Sequence, residues 1–186
     1  MTELLTLARD AGFEETAPLQ AALLVFRPEV RDMCRADRCS SYGKSWCCPP
    51  ACPSLEEMTR RMWDYGQGVL VETVGAMADD FDYEAMLAAE ARHKERFRQL
   101  TQALYHRYGR ENVLPMGAGT CRRCARCTYP DAPCRFPEEQ VVSMEAYGLL
   151  VSQVCQDCGA VYYHGPRTMT YVSCIFLRRG AEGGNK

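Results

Sequence analysis

Apolar residues recur along this chain at two periods, and the period changes mark the elements. The opening stretch MTELLTLARDAGFEE carries acids early and reads as an amphipathic helix rather than a signal peptide. Ser54 stands three residues before Glu57 in a capping-box pattern, and Leu55, Met58, Met62 and Tyr65 then recur at helical spacing until Gly66. After an acidic turn at Asp79, Asp80 and Asp82, the stripe Tyr83, Met86, Leu87, Ala91, Phe97, Leu100, Leu104 and Tyr108 predicts the longest helix, stopped by Gly109. Ser143 to Cys158 returns to helical spacing through Met144, Tyr147, Val151 and Val154, with Gly159 as its stop. Strand signals fall between these: the short apolar run Ala22 to Phe26, the β-branched run Val69 to Val74 between Gly68 and Gly75, and Thr168 to Leu177.

Strands interleaved with three or four helices predict an α+β or α/β fold, a small sheet of three or more strands packed with helices. No linker-like stretch divides the chain, so residues 1–180 read as a single domain and 181–186 as a flexible tail. One segment resists this scheme. Gly117 to Pro137 has Gly, Pro and polar residues without an apolar period, a loop that needs something other than a core to order it.

Charge and length then narrow the function. The 186 residues carry 22 Lys+Arg against 24 Asp+Glu, a net charge of −2, which gives no field for nucleic acid or an anionic membrane. The longest apolar run, Ala21 to Phe26, is far short of the roughly 20 residues that span a bilayer. The chain is read as cytoplasmic, with neither nucleic acid nor membrane as a partner. In that compartment thiols stay reduced, so its 12 cysteines point to metal or redox chemistry rather than disulfides.

The cysteines fall into groups. In Cys121-Arg-Arg-Cys124-Ala-Arg-Cys127 a short loop can present three thiolates to one cubane, and Cys134 can supply the fourth. Structural zinc instead tends to draw cysteine pairs from two separated knuckles, so the triple run favours iron–sulfur, with zinc the alternative. Arg122, Arg123, Arg126 and Arg135 make the segment too polar for a core; they either offset cluster charge and donate to sulfur or form a solvated basic loop. The earlier group holds Cys34, Cys39, Cys47, Cys48 and Cys52, with Pro49 and Pro50 stiffening the turn and a helix leaving at Ser54. Cys34, Cys39, Cys48 and Cys52 are the favoured ligands there. Neighbours in an extended segment point to opposite sides, so Cys47 is expected to be a bystander. Both cysteine segments are expected as loops on the edge of the sheet.

Cys39-Ser-Ser-Tyr42-Gly43-Lys44-Ser-Trp46-Cys-Cys48-Pro49-Pro50, followed by Ala118-Gly119-Thr-Cys121-Arg-Arg-Cys124-Ala-Arg-Cys127, Pro133-Cys134-Arg135-Phe-Pro137 and Ser143-Met144-Glu145-Ala146, resembles domain of unknown function 2284 over nearly the whole chain. The resemblance implies a cysteine-rich, presumed iron–sulfur protein with no established reaction. This chain departs from the family pattern in placing Arg35, Ala36, Asp37 and Arg38 between its first two cysteines, where two residues are typical, and in having a cysteine at position 47.

Cys155-Gln-Asp-Cys158, His164 and Cys174 could make a Cys3His zinc site, but Cys155 and Cys158 on a helix stripe and Cys174 in a strand read more simply as buried thiols. His93 and His106 read as helix packing or surface residues. Tyr42 and Trp46 either shield a cluster or anchor their loop, with anchoring favoured and Lys44 left open. No C-x3-C-x2-C run, Gly-rich phosphate loop, Rossmann fingerprint or Ser–His–Asp signature supplies a catalytic reading. The sequence therefore predicts a protein carrying two [4Fe–4S] clusters that serves a redox partner protein in electron transfer. An iron–sulfur enzyme with an open-coordinated cluster and a zinc-stabilised interaction module are the alternatives.

Overall fold

The longest strand is buried on both faces, and the fold is built around it. The computed structural model describes residues 1–181. In β2 (Tyr65–Ala76), Val69 and Val71 enter one core and Leu70 the other, the period-2 alternation of a strand with a layer on each side. β2 pairs antiparallel with β1 (Glu15–Gln20) and with β4 (Thr168–Arg178), and β4 pairs antiparallel with β3 (Val113–Met116). The result is a four-stranded antiparallel sheet of order β1-β2-β4-β3 with helices on both faces, an α+β fold. Both edge strands contain a proline, Pro18 and Pro115, and proline is tolerated at an edge because no second neighbour needs its missing N–H.

One face is covered by α1 (Thr2–Asp10) and α4 (Tyr83–Tyr108), which bring Leu4, Ala8, Phe97, Leu100 and Leu104 onto Val69, Val71 and Ile175. The opposite face takes Met58 and Met62 from α3 (Leu55–Met62) and Val151 and Val154 from α5 (Val151–Cys158), packed on Leu70, Cys174 and Phe176. Each large apolar side chain buried this way contributes about 1.5–3 kcal/mol. The capping box at Ser54 forms as its sequence predicts: the Glu57 amide donates to Ser54 Oγ at 3.2 Å and the Ser54 amide to Glu57 Oε2 at 2.6 Å.

Several expectations change. Ala22 to Phe26 is not a strand: Ala21–Leu23 is a 3-10 turn, and only an isolated bridge from Phe26 to Leu149 remains. Pro28 at the first position of α2 (Pro28–Met33) turns the chain away, and β1 takes the edge instead. The helix predicted over Ser143 to Cys158 is broken, because Gly148 at φ +80° ends a 3-10 turn at Glu145–Tyr147 before α5 begins. A Cβ at Gly148 would also meet the Arg27 carbonyl at 2.8 Å.

The first half of α4 buries Ala89, Glu90 and His93 rather than Tyr83, Leu87 and Ala91. Gly75 permits this, since a Cβ there would stand 2.7 Å from that of Ala89. His93 is fully buried between Thr73 Oγ1 at 3.0 Å and Ser173 Oγ at 2.7 Å. Burial, then the charges of Lys94 and Arg96, lower its pKa to about 3. His93 is thus a packing histidine, and His106 is exposed.

The expected tail falls almost wholly at 182–186, outside the described residues. No helix among the described residues is long and apolar enough to cross a membrane.

Candidate metal centre

The first cysteine segment is held by local turns. Cys34–Ala36 forms a 3-10 turn after α2, and Asp37 at φ 48° reverses the chain. The Asp37 carboxylate then accepts from the Tyr42 amide and from Lys44 Nζ, both at 2.8 Å, which gives Lys44 a structural partner. These two bonds hold its pKa below the usual carboxylate value. Further on, Arg31 on α2 donates to the Pro53 carbonyl at 2.5 Å and to Cys52 Sγ at 3.6 Å.

The thiols of Cys34, Cys39, Cys48 and Cys52 lie close enough to act on one another. Burial raises the pKa of Cys34 and Cys48, with the neighbouring cysteines adding to it, and pushes Cys52 up to about 11. Cys48 and Cys52 are buried, Cys34 is half-buried and Cys39 is exposed; energy spent on burying such sulfurs is recovered when a cation replaces their protons.

The second segment leaves β3 through Gly117, whose amide donates to the Val142 carbonyl while its own carbonyl accepts from Met144. Helix α4 then ties down the stretch from Thr120 to Arg122. Lys94 Nζ donates to the Thr120 carbonyl at 2.5 Å and to Glu90 at 2.6 Å, and Arg122 Nε reaches the same carboxylate at 3.0 Å. Arg123 pairs with Glu139 at 2.8 Å and lies over the Phe136 ring, and Arg135 donates to the Arg126 carbonyl. Three of the four arginines therefore brace the loop, a role distinct from both expected ones.

Backbone amides point at sulfurs here. Phe136 N–H donates to Cys134 Sγ at 3.4 Å, Arg123 N–H to the Cys121 sulfur, and Val141 N–H to the Cys47 sulfur. Such donors favour the thiolate, the form that binds metal.

The two segments meet. Trp46 Nε1 donates to the Ala132 carbonyl at 3.1 Å and its ring stands edge-on to Tyr129 with centroids 4.9 Å apart, so Trp46 anchors one cysteine segment to the other. Cys48 Sγ is 3.6 Å from Thr120 Oγ1. Cys47, buried at 4% exposure, hydrogen-bonds Cys121; the shared proton pushes Cys47 up and Cys121 down to about 6. Between the segments opens a cavity of about 470 Å³ whose walls include Cys39, Cys47, Cys121, Cys124, Cys127 and Cys134.

A donor set of thiols alone suits a soft, thiophilic metal. Among the described residues no three His, Cys, Asp or Glu side chains converge on the geometry of one bare ion. The cavity is instead more than ten times the roughly 30 Å³ that one water takes.

The remaining thiols are settled elsewhere. Cys155 and Cys174 are fully buried, and burial raises the pKa of both. Cys155 Sγ donates to Glu72 Oε1 at 3.6 Å, Cys158 Sγ to the Cys155 carbonyl at 3.4 Å, and His164 Nε2 is 3.1 Å from Glu72 Oε2. Sequence reasoning passed over Glu72, a fully buried carboxylate whose signal was a charge inside the apolar run Val69 to Val74.

No curated protein and no solved structure matches the chain. A family model described as "Predicted metal-binding protein (DUF2284)" matches residues 17–177, a span that takes in every cysteine of both segments. The chain belongs to that family, domain of unknown function 2284, a family of predicted metal-binding proteins.

Proposed function

We propose that the chain binds two [4Fe–4S] clusters and works in electron transfer with a redox partner protein in the cytoplasm. One cluster is assigned to Cys34, Cys39, Cys48 and Cys52. The other is assigned to Cys121, Cys124 and Cys127 with a fourth thiol, Cys134 by its spacing. The observation that carries this reading is the cavity of about 470 Å³ walled by six cysteines from two segments. Four thiolates around one zinc stand at about 2.3 Å from the metal and so crowd together, whereas a cubane needs them spread around a larger body.

Bound clusters supply single-electron chemistry. The chain contributes the amides of Arg123, Val141 and Phe136 to sulfur, a lever on potential, and Trp46 to hold the two segments together. A reductive titration with dithionite under anaerobic conditions is expected to register two one-electron steps per chain. Protein that takes up no electrons and carries zinc would overturn the proposal in favour of the structural module.

One observation favours a second reading, an enzyme with an open iron. A groove of about 630 Å³ runs between α4 and the Gly117–Arg123 stretch and shares the wall from Thr120 to Arg123 with the cysteine cavity. Thr101, whose buried hydroxyl has no hydrogen-bond partner among the described residues, lies along it. Added cyanide would shift the reduced-cluster EPR signal if one iron lacks a thiolate, and leave it unchanged if both clusters are fully ligated.

A further inference from the structure

Cys47 is buried at 4% exposure yet faces the cysteine cavity, and it does so on the side of the second segment. It lines that cavity together with Cys121, Cys124 and Cys127 of the second segment. Its neighbour Cys48 does not line that cavity; its sulfur lies near Cys34 and Cys39 and has Thr120 Oγ1 at 3.6 Å. The chain between them is one peptide bond. Cys134, by contrast, is half-buried and sits on the exposed arm that runs from Pro130 to Arg135.

We infer that Cys47 is the fourth ligand of the second centre, so that the consecutive residues Cys47 and Cys48 hold different centres and join them. This inference rests on the two-cluster reading above. Two features carry it: the fixed position of the Cys47 sulfur in the core, and its place on the cavity wall beside Cys121, Cys124 and Cys127, a wall that Cys48 does not join. A ligand held in place before metal arrives costs less entropy on binding than one carried on an exposed loop arm. Cys134 then stands at the mouth of the cavity as a fifth thiol. Two clusters tethered through one peptide bond sit close enough for their unpaired spins to interact when both are reduced.

The test compares iron content and EPR of anaerobically prepared wild type, Cys47→Ser, Cys48→Ser and Cys134→Ser. Cys47→Ser is expected to hold half the wild-type iron, to keep the first centre's signal and to lose the spin–spin splitting. Cys48→Ser is expected to lose the other half. Cys134→Ser is expected to retain all of it. Cys47→Ala, which keeps an apolar residue in the core, covers the case in which serine unsettles folding. Full iron in both Cys47 variants, or half the iron in Cys134→Ser, overturns the inference while leaving the two-cluster reading intact. Wild-type protein without iron overturns both.

Discussion

Cysteines occupy two kinds of ground in this protein, the meeting edge of two loops and the interior beside the sheet. At the edge, Cys39, Cys47, Cys121, Cys124, Cys127 and Cys134 surround a common space, and amide groups approach three of these sulfurs. In the interior, Cys155 donates a hydrogen bond to Glu72, Cys158 donates one to a helix carbonyl, and Cys174 packs against the sheet-side core. Cys121 and Cys134 accept from backbone amides as thiolates do, whereas Cys155 and Cys158 donate as thiols do. The same residue type is thus prepared for opposite fates, and what the sulfur touches tells them apart better than spacing does. Cys155-x2-Cys158 has the spacing of a metal knuckle but the surroundings of a core.

The comparison breaks most visibly at the second loop. Replacing Cys121, Cys124 or Cys127 with Ser is expected to halve the bound iron and leave Gly117 to Pro137 open to limited proteolysis, because metal binding is folding energy for a loop without its own core. Full iron content and an uncut loop in all three variants would erase the distinction between edge and interior.

A smaller effect sharpens the interior side. Unfolded, the His93 imidazole titrates near 6.5; folded, its pKa is lowered to about 3 by burial and by Lys94 and Arg96. Between those values the unfolded chain holds the proton more tightly, so stability is complete above about 6.5 and declines as pH falls. The slope approaches about 1.4 kcal/mol per pH unit, so lowering the pH from 7 to 5 is expected to cost about 2 kcal/mol. Urea unfolding of wild type and His93→Gln at both pH values checks this, since glutamine does not titrate and its loss should be smaller by about that amount. Equal losses would mean that His93 does not set the acid sensitivity.

The smallest effect is expected at Cys155. Cys155→Ala should keep all bound metal and lower stability by about 1 kcal/mol, the scale of trimming a small buried group. Zinc lost in proportion to protein would make Cys155 a ligand and return the knuckle reading with His164 and Cys174.

Much of the fold was legible in the sequence because some elements carry their own signals. The Ser54 capping box, the long stripe of α4 with Gly109 behind it, and the β-branched run of β2 each specify structure locally. β1 and β3 went unread because each is short and contains a proline, features that suit an edge strand but weaken a strand pattern. The break at Gly148 hid inside a helical period, since periodicity counts apolar residues and not the sign of φ.

The candidate site divides in the same way. The two cysteine segments were visible as clusters, and their placement as loops between elements follows from the strands and helices on either side. Their meeting was not visible, because the bond from Trp46 to Ala132 spans 86 residues and the approach of Cys48 to Thr120 spans 72. Cys47 illustrates the cost. The expected extended chain at Cys47 and Cys48 is instead a turn closed by the Cys48 amide on the Ser45 carbonyl, and only the fold brings Cys47 to the cavity wall beside Cys121.

The central claim, that the loop cysteines bind iron–sulfur clusters and the interior ones bind nothing, is tested most directly by anaerobic purification followed by iron, sulfide and zinc analysis, with EPR before and after dithionite. The account predicts about eight irons and eight sulfides per chain for two cubanes, no stoichiometric zinc, and an EPR signal that appears on reduction. Stoichiometric zinc without sulfide, and no signal after dithionite, would contradict it.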